Sequence, residues 1–442
     1  MPQQQTVNYL VSGGLDATNA VAVGKSIAAD LATKPTLSTD ALGNVTGLMG
    51  IAMQQNRTIA FCGDSITALA GLQAGNPNFQ GRGFWCWGQS LSGHKLRALV
   101  NTGVPGTTTA QILSQIPTAL AYQPGYLHYL GGTNDVGNSV SLATTQANIL
   151  SALSLCKAAG VLFVIGTIPP RQSYTAGQQL AGDQINAWIK TLPYMYQGVQ
   201  VIDYYATLAT QQNGIYVTGY SYDNAVHPSQ LGAYAMGTAY AAWANGLNLP
   251  PPTLTSSDVD GTNYLTNGRM TAGGVGSGTG NAPTGWFGGM TGGSVAYSKT
   301  ARTDGVQGSW QTVTQTTSGC SGYLQSTNIA VGTLPIGTAI ELIGEYQLSG
   351  LDTSAAANTQ WFNVTLQFYN GASFFFSTWD LYDDVTNENQ TSASRSGVFR
   401  TPVVRVPVGT TVTQVVLHMN GSGVYNFDRV TLRQVPWAPS PV

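Results

Sequence analysis

The sequence predicts an α/β unit built on a parallel sheet, followed by an antiparallel β-sandwich. Two observations carry this reading. Between residues 57 and 246, short apolar runs alternate with longer amphipathic stretches, the texture of βαβ units with helices on both faces of a sheet. From 258 to 436, short stretches of alternating polarity are punctuated by Gly, Ser, Thr and Asn turns, with no helical pattern. Between them lies Leu249-Pro250-Pro251-Pro252-Thr253, read as a stiff, polyproline-like linker. The expected organisation is a polar N-terminal segment over 1–50, the α/β unit over 51–248, a linker over 249–257 and the sandwich over 258–442.

Residues 1–50 are rich in Ala, Thr, Gly and Asn and predict one short helix around Ala20–Leu31, stopped by Pro35. This segment holds too little apolar material to fold alone and is expected to pack on neighbours or dock to a larger assembly. Its Gly24-Lys25-Ser26 hints at a phosphate loop, but that pattern needs glycine where Asn19 stands, so the reading fails. In the α/β unit, strands are expected at Thr58–Cys62, Leu96–Val100, Tyr126–Leu130, Val161–Ile168 and Val199–Ile202. Helices are expected at Ile66–Leu72, Thr108–Leu120, Leu142–Ala159, Gln178–Leu192 and Ser229–Trp243. The nearly unbroken apolar run from Val161 to Ile168 suits a strand covered on both faces. In the sandwich, Ala339–Gln347, Phe362–Phe368, Val412–Met419 and Tyr425–Leu432 read as strands.

Composition narrows the function classes. Only 8% of the 442 residues are charged, against about a quarter in an average soluble protein. The formal net charge of -2 gives no electrostatic case for a nucleic-acid or anionic-membrane partner. Such a composition, with 54 glycines, suits turn-rich extracellular or virion-surface proteins. Cys62, Cys86, Cys156 and Cys320 show no metal-ligand spacing and read as buried thiols, with a disulfide left open. The first residues lack a basic and then apolar secretory pattern, and no run long enough to span a membrane as a helix occurs. An extracellular protein of this sequence would be exported by another route.

Four short motifs carry the chemistry. Gly63-Asp64-Ser65 follows the first strand and opens a helix, placing a serine at the carboxyl end of the sheet with its backbone N–H at a helix N-terminus. Alone, it reads more simply as a helix-capping serine. Asn101-Thr102-Gly103-Val104-Pro105-Gly106 follows the next strand, where a glycine lets the backbone approach a substrate and present an open N–H. Gly131-Gly132-Thr133-Asn134-Asp135 follows the third, where a carboxamide can aim at a developing oxyanion or simply cap a turn. Asp223-Asn224-Ala225-Val226-His227-Pro228 precedes the last helix and sets an imidazole near an acid, as a general base requires. Of the other histidines, His94 lies in a polar stretch, His128 in an apolar strand and His418 in the sandwich. Asp64 and Asp135 read as turn residues. No side-chain cluster suggests a catalytic metal, and no dinucleotide fingerprint is present.

In this order, the series resembles the SGNH/GDSL hydrolase family over residues 57–246. The resemblance implies a flavodoxin-like, three-layer α/β/α unit and an esterase that works through an acyl-enzyme without a cofactor. It assigns Ser65 as nucleophile, His227 as base, and the Ser65 N–H, the Gly106 N–H and the Asn134 side chain as oxyanion hole. The family's acid stands three residues before the histidine, where this chain has Asn224. Asp223, one residue further back, is preferred as the orienting acid through a bulged loop. Asn224, or a Ser–His dyad steadied by a backbone carbonyl, are the alternatives.

In the sandwich, Asn281–Trp286 and Tyr425–Leu432 resemble segments that start and close jelly-roll carbohydrate-binding modules, some of which hold a structural calcium ion. Trp286, Trp310, Trp361 and Trp379 could form a sugar-stacking platform, although each singly reads more readily as core. The whole chain resembles bacteriophage tail-spike or tail-fibre enzymes, commonly trimeric, that remove acyl groups from host polysaccharide. The function expected is hydrolysis of esters, foremost O-acetyl groups on an acylated polysaccharide, without membrane insertion. The rivals are a bacterial carbohydrate esterase, a glycan- or receptor-binding tail protein with a vestigial hydrolase fold, and a lipid or thioester hydrolase.

Overall fold

The computed structural model describes residues 56–435 apart from 70, 74–75, 210–213, 224, 259, 352–360 and 383–393. The chain divides into two units, Met1–Arg57 and Thr58–Val442, and the second is described here. The expected helix at 20–31, the docking segment over 1–50 and Asn224 lie outside the described residues.

The α/β part runs β1 (Thr58–Gly63), α1 (Ser65–Ala68), β2 (Gly71–Gln73), β3 (Asn76–Gln80), α2 (Phe84–Leu91), β4 (Arg97–Asn101), α3 (Thr109–Leu113) and α4 (Ile116–Ala121). It continues through β5 (Tyr126–Leu130), α5 (Thr133–Gly137), α6 (Leu142–Ala158), β6 (Leu162–Gly166), α7 (Ala176–Met195), β7 (Val199–Ile202), α8 (Tyr204–Leu208) and α9 (Gln230–Gly246). The central sheet is ordered β4-β1-β5-β6-β7, all parallel. Counted along the chain, that order is 2-1-3-4-5, the flavodoxin-like arrangement, which reverses direction between β1 and β5. Alternation along β1 sends Ile59 and Phe61 to one face and Ala60 and Cys62 to the other. The first face is covered by α2 and α9, the second by α3, α4, α6 and α7.

Two expected helices are shorter than their apolar patterns suggest. At residues 66–72 only one helical turn forms, because Asn101 Nδ2 donates to the Thr67 carbonyl at 2.8 Å and the chain leaves for β2. At 108–120 the helix breaks at Gln115, with Pro117 restarting it in the first turn of α4, where its missing N–H costs nothing. The broken turn releases the Gln115 side chain toward the end of β1. The helix α2 was not expected: it is only eight residues long, and its run Phe84-Trp85-Cys86-Trp87, all buried, is too short to be told from a buried strand by pattern alone. Gly88 allows its close approach to Tyr240 of α9, where a Cβ would lie 2.3 Å from the ring.

The C-terminal strands are β8 (Gly276–Ser277), β9 (Trp286–Thr291), β10 (Val295–Ala301), β11 (Ser309–Gln315), β12 (Ser321–Ser326), β13 (Ile329–Ala330) and β14 (Ala339–Ser349). They continue with β15 (Trp361–Asn370), β16 (Ser373–Tyr382), β17 (Arg395–Arg400), β18 (Val404–Arg405), β19 (Val412–Asn420) and β20 (Gly423–Gln434). One sheet is ordered β17-β14-β20-β11-β10-β8 and the other β3-β16-β15-β19-β12-β9, with antiparallel pairing among these C-terminal strands. The sheets face one another: the ring of Phe362 on β15 lies 5.7 Å from Tyr346 on β14 and 5.6 Å from Phe427 on β20. Trp286 and Trp310 are buried, the latter under the Arg302 guanidinium, so neither offers an open stacking face. The side chains of Trp361 and Trp379 lie outside the described set.

The α/β part and the sandwich share one continuous core. β3 joins the second sheet through parallel pairing with β16. Ser90 of α2 bonds the Tyr346 hydroxyl at 2.9 Å, and Arg97 of β4 reaches the buried Glu341 at 2.6 Å. Leu249 and Thr255, in the Pro-rich stretch, are buried. Arg400 and Arg433 also converge on Glu341; burial raises its carboxyl, and the three guanidiniums outweigh that and hold it well below the usual carboxylate range.

Candidate active site

The site forms at the carboxyl ends of β1 and β5, where the sheet order reverses, the place at which open α/β sheets bind their ligands. Gly63 ends β1 in a position no side chain could share: a Cβ would meet Thr67 Oγ1 at 2.2 Å and the Leu130 carbonyl at 2.5 Å. Gln115 clamps this residue, accepting from its N–H and donating to its carbonyl, both at 3.1 Å. Asp64 caps α1, accepting the Ile66 N–H at 3.0 Å. Burial pushes its carboxyl up to about 7, against the pull of the Ile66 amide. Its second oxygen has no partner. Ser65 is thereby held, half-buried, at the first position of α1, where the backbone N–H has no intrahelical acceptor.

The loop after β4 is tied to this turn. Asn101 Oδ1 accepts the Gly103 N–H at 2.9 Å while its amide holds the Thr67 carbonyl, so one side chain joins the loop to α1. Val104 N–H donates to the Gly63 carbonyl at 3.1 Å, and the Thr107 hydroxyl bonds Val104 O at 2.8 Å. Gly106 turns the chain at φ +79°, with open space where a Cβ would stand.

After β5, Gly132 adopts φ +120° and starts α5. Asn134 Nδ2 donates to the Thr107 carbonyl at 2.9 Å, which sets the carboxamide against the 106–107 turn. A carboxamide carries two N–H bonds, so one remains for another acceptor. Asp135 is buried and accepts from the Thr109 N–H at 2.7 Å and from both the Thr109 and Thr145 hydroxyls. It fastens α3 and α6 to the Asn134 turn.

The fourth segment folds around one carboxylate. Asp223 Oδ1 accepts the Ser221 hydroxyl at 3.0 Å and the backbone N–H groups of Ala225, Val226 and His227 at 3.0, 2.9 and 3.1 Å. Its Oδ2 accepts His227 Nδ1–H at 2.7 Å. Partial burial raises this carboxyl, but the Val226 amide, the imidazole and the other amides outweigh it and hold Asp223 well below the usual carboxylate range. With Nδ1 donating, Nε2 accepts from the Ser65 hydroxyl at 2.8 Å. The spacing of four between acid and histidine is accommodated because three amides wrap Oδ1 and bend the loop back. The loop is tethered from outside by Tyr216 OH to Val226 O at 2.7 Å and Gln172 N–H to Ala225 O at 2.8 Å.

The other histidines stay apart. His128 Nε2 meets Tyr204 OH at 2.9 Å, and burial pushes its pKa down to about 3. His94 lies 3.3 Å from Asp380, and His418 is pushed down to about 4 by burial. The four cysteines are free and buried. Among the described residues no cluster of His, Cys, Asp and Glu could hold a metal ion, and no helix is long and apolar enough to cross a membrane. Sequence reasoning missed Gln115 and the ring of Tyr222, which stacks on His227; neither lies inside a motif.

Serine, imidazole and carboxylate in hydrogen-bonded series at the end of a parallel sheet form the arrangement of a serine hydrolase. Residues 61–235 match the model of the GDSL-like lipase/acylhydrolase family. Solved structures similar to this part of the chain include a G-D-S-L family protein from Desulfitobacterium hafniense, 20% identical, covering 42% of this chain and 99% of that one with a TM-score of 0.36. A GDSL-like lipase from Bacteroides thetaiotaomicron is 17% identical over 50% of this chain and 97% of its own, with a TM-score of 0.34. An acetylxylan esterase from Geobacillus stearothermophilus is 20% identical over 42% and 93%, with a TM-score of 0.37. No curated protein matches the chain in sequence.

Proposed function

We propose that the α/β part hydrolyses O-acyl esters on a polysaccharide, foremost O-acetyl groups, through an acyl-enzyme on Ser65. The observation that carries the reading is the relay from Ser65 Oγ to His227 Nε2 at 2.8 Å and from Nδ1 to Asp223 at 2.7 Å. His227 takes the hydroxyl proton as Ser65 Oγ bonds the ester carbon. The imidazolium then passes that proton to the departing alkoxide oxygen. Asp223 keeps Nδ1 protonated and offsets the imidazolium charge. The carbonyl oxygen, negative in the tetrahedral intermediate, is met by the Ser65 and Gly106 N–H groups and by the Asn134 amide. Water, activated by His227, attacks the acyl-enzyme and releases the acid.

A polysaccharide substrate is supported by the β-sandwich joined to the hydrolase part through a shared core and ion pairs, and read here as a carbohydrate-binding-like jelly roll. The sparse charge and Gly-rich composition support a protein acting outside the cell or on a virion surface. The test is acetate release from O-acetylated polysaccharides and from p-nitrophenyl acetate by wild type and Ser65→Ala. Release by the wild type, abolished in the variant, is expected. Absence of release from both substrates overturns the reading.

A further inference from the structure

We propose that Tyr222, held by Arg82, is a positioning residue for His227, fixing the tilt of the imidazole that serves Ser65. The inference rests on the reading of Ser65 and His227 as nucleophile and base. The Tyr222 ring lies 5.7 Å from the imidazole with the planes 19° apart, an offset stack. The Arg82 guanidinium carbon lies 3.9 Å from the centroid of the same tyrosine ring, within cation–π distance.

The hydrogen bonds at Nδ1 and Nε2 pin two points of the imidazole but leave the ring able to rotate about the axis through them. A face contact removes the remaining freedom. Tyr222 is suited to supply it, because its own N–H bonds the His227 carbonyl at 3.3 Å and closes both residues into one turn. Arg82 supplies an anchor from outside that turn. It stands between β3, which pairs with β16 of the sandwich, and α2. There the Gly81 carbonyl accepts Trp87 Nε1–H at 2.6 Å, and Ser90 bonds Tyr346. The stack therefore ties the base to the segment on which the sandwich is mounted, giving the sandwich a part in shaping the reaction centre.

Packing alone does not explain the ring, since Tyr222 is 38% exposed and its loss uncovers little core. The effect belongs in turnover and not in stability. A small tilt of the base lengthens the proton path from Ser65, and misplacement by about 1 Å can cost about a hundredfold in rate.

The experiment measures kcat and KM for p-nitrophenyl acetate, the rate of Ser65 modification by a fluorophosphonate, and the Tm. The proteins are full-length wild type, Tyr222→Ala, Tyr222→Phe, Arg82→Ala and the Tyr222→Ala/Arg82→Ala double variant. Tyr222→Ala is expected to lose about tenfold in kcat and in modification rate, with KM within about twofold and Tm within about 2 °C. Tyr222→Phe keeps at least about half of both rates, because the ring face is retained. Arg82→Ala loses about threefold, and the double variant is no slower than Tyr222→Ala, because Arg82 acts through the ring. Rates for Tyr222→Ala within twofold of wild type, a loss in KM alone, or multiplied losses in the double variant overturn the proposal. A wild type that hydrolyses no ester yet shows Tyr222-dependent modification of Ser65 removes the esterase reading and leaves the positioning role standing. A wild type inert in both assays removes both.

Discussion

Asp64, adjacent to the nucleophile, makes the stability of this unit depend on pH in a direction opposite to that of most carboxylates. Its burial raises the folded-state pKa from the ordinary 3.8 to about 7. Below pH 3.8 both folded and unfolded chains hold the proton. As pH climbs toward 7 only the folded chain does, so stability falls through this window and levels off above it. At about 1.4 kcal/mol per pH unit, the loss is on the order of 4 kcal/mol. Asp64→Asn keeps an oxygen for the Ile66 N–H and cannot ionise, so it escapes the loss. For a unit of this size, about 1 kcal/mol corresponds to about 1 °C in Tm. The Tm of the variant minus that of wild type should therefore rise by about 4 °C between pH 4 and 8, whatever its absolute value at one pH. Thermal melts at half-unit pH steps measure it, and other titrating groups cancel in the difference. Parallel curves for the two proteins would refute a protonated Asp64 in the native state.

Three further perturbations test other parts of the account. Asn134→Ala removes one oxyanion donor and should lower kcat on p-nitrophenyl acetate by about 10²–10³-fold with KM little changed; full activity would remove Asn134 from the hole. Asp223→Ala deprives both the imidazole and three amides of their acceptor and should lower kcat by at least about a hundredfold, while Asn224→Ala keeps most activity; the reverse pattern would reassign the acid. Glu341→Gln leaves Arg97, Arg400 and Arg433 around a neutral side chain and should cost about 3–5 kcal/mol, read as a Tm lowered by several degrees; an unchanged Tm would contradict the role given to this cluster.

The parallel strands were legible because burial on both faces leaves near-continuous apolar runs, as in Tyr126–Leu130, every residue of which is buried. The long helices α6, α7 and α9 were legible from their length, and Ser141, Thr175 and Ser229 cap them. What escaped was decided by tertiary contacts. Phe84–Leu91 is a short segment with Phe84 to Ser90 buried, too short for its pattern to tell helix from strand, and α1 stops where Asn101 captures a carbonyl. In the site, short motifs identify the residues that the structure brings together. The side chains that hold them, Gln115 on Gly63 and Tyr222 on His227, come from positions whose roles exist only in three dimensions. The choice between Asp223 and Asn224 could not be made from spacing, because the bulge depends on three amides folding around one oxygen.

The proposed hydrolysis depends on covalent acylation of Ser65 with His227 as its base. Peptide mapping by mass spectrometry after quenching turnover of an activated ester, or after fluorophosphonate treatment, reads this directly in wild type, Ser65→Ala and His227→Ala. One adduct per chain is expected on the peptide carrying Ser65, with none in Ser65→Ala and a far slower appearance in His227→Ala. An adduct on another residue, or ester hydrolysis that persists undiminished in Ser65→Ala, would contradict that assignment.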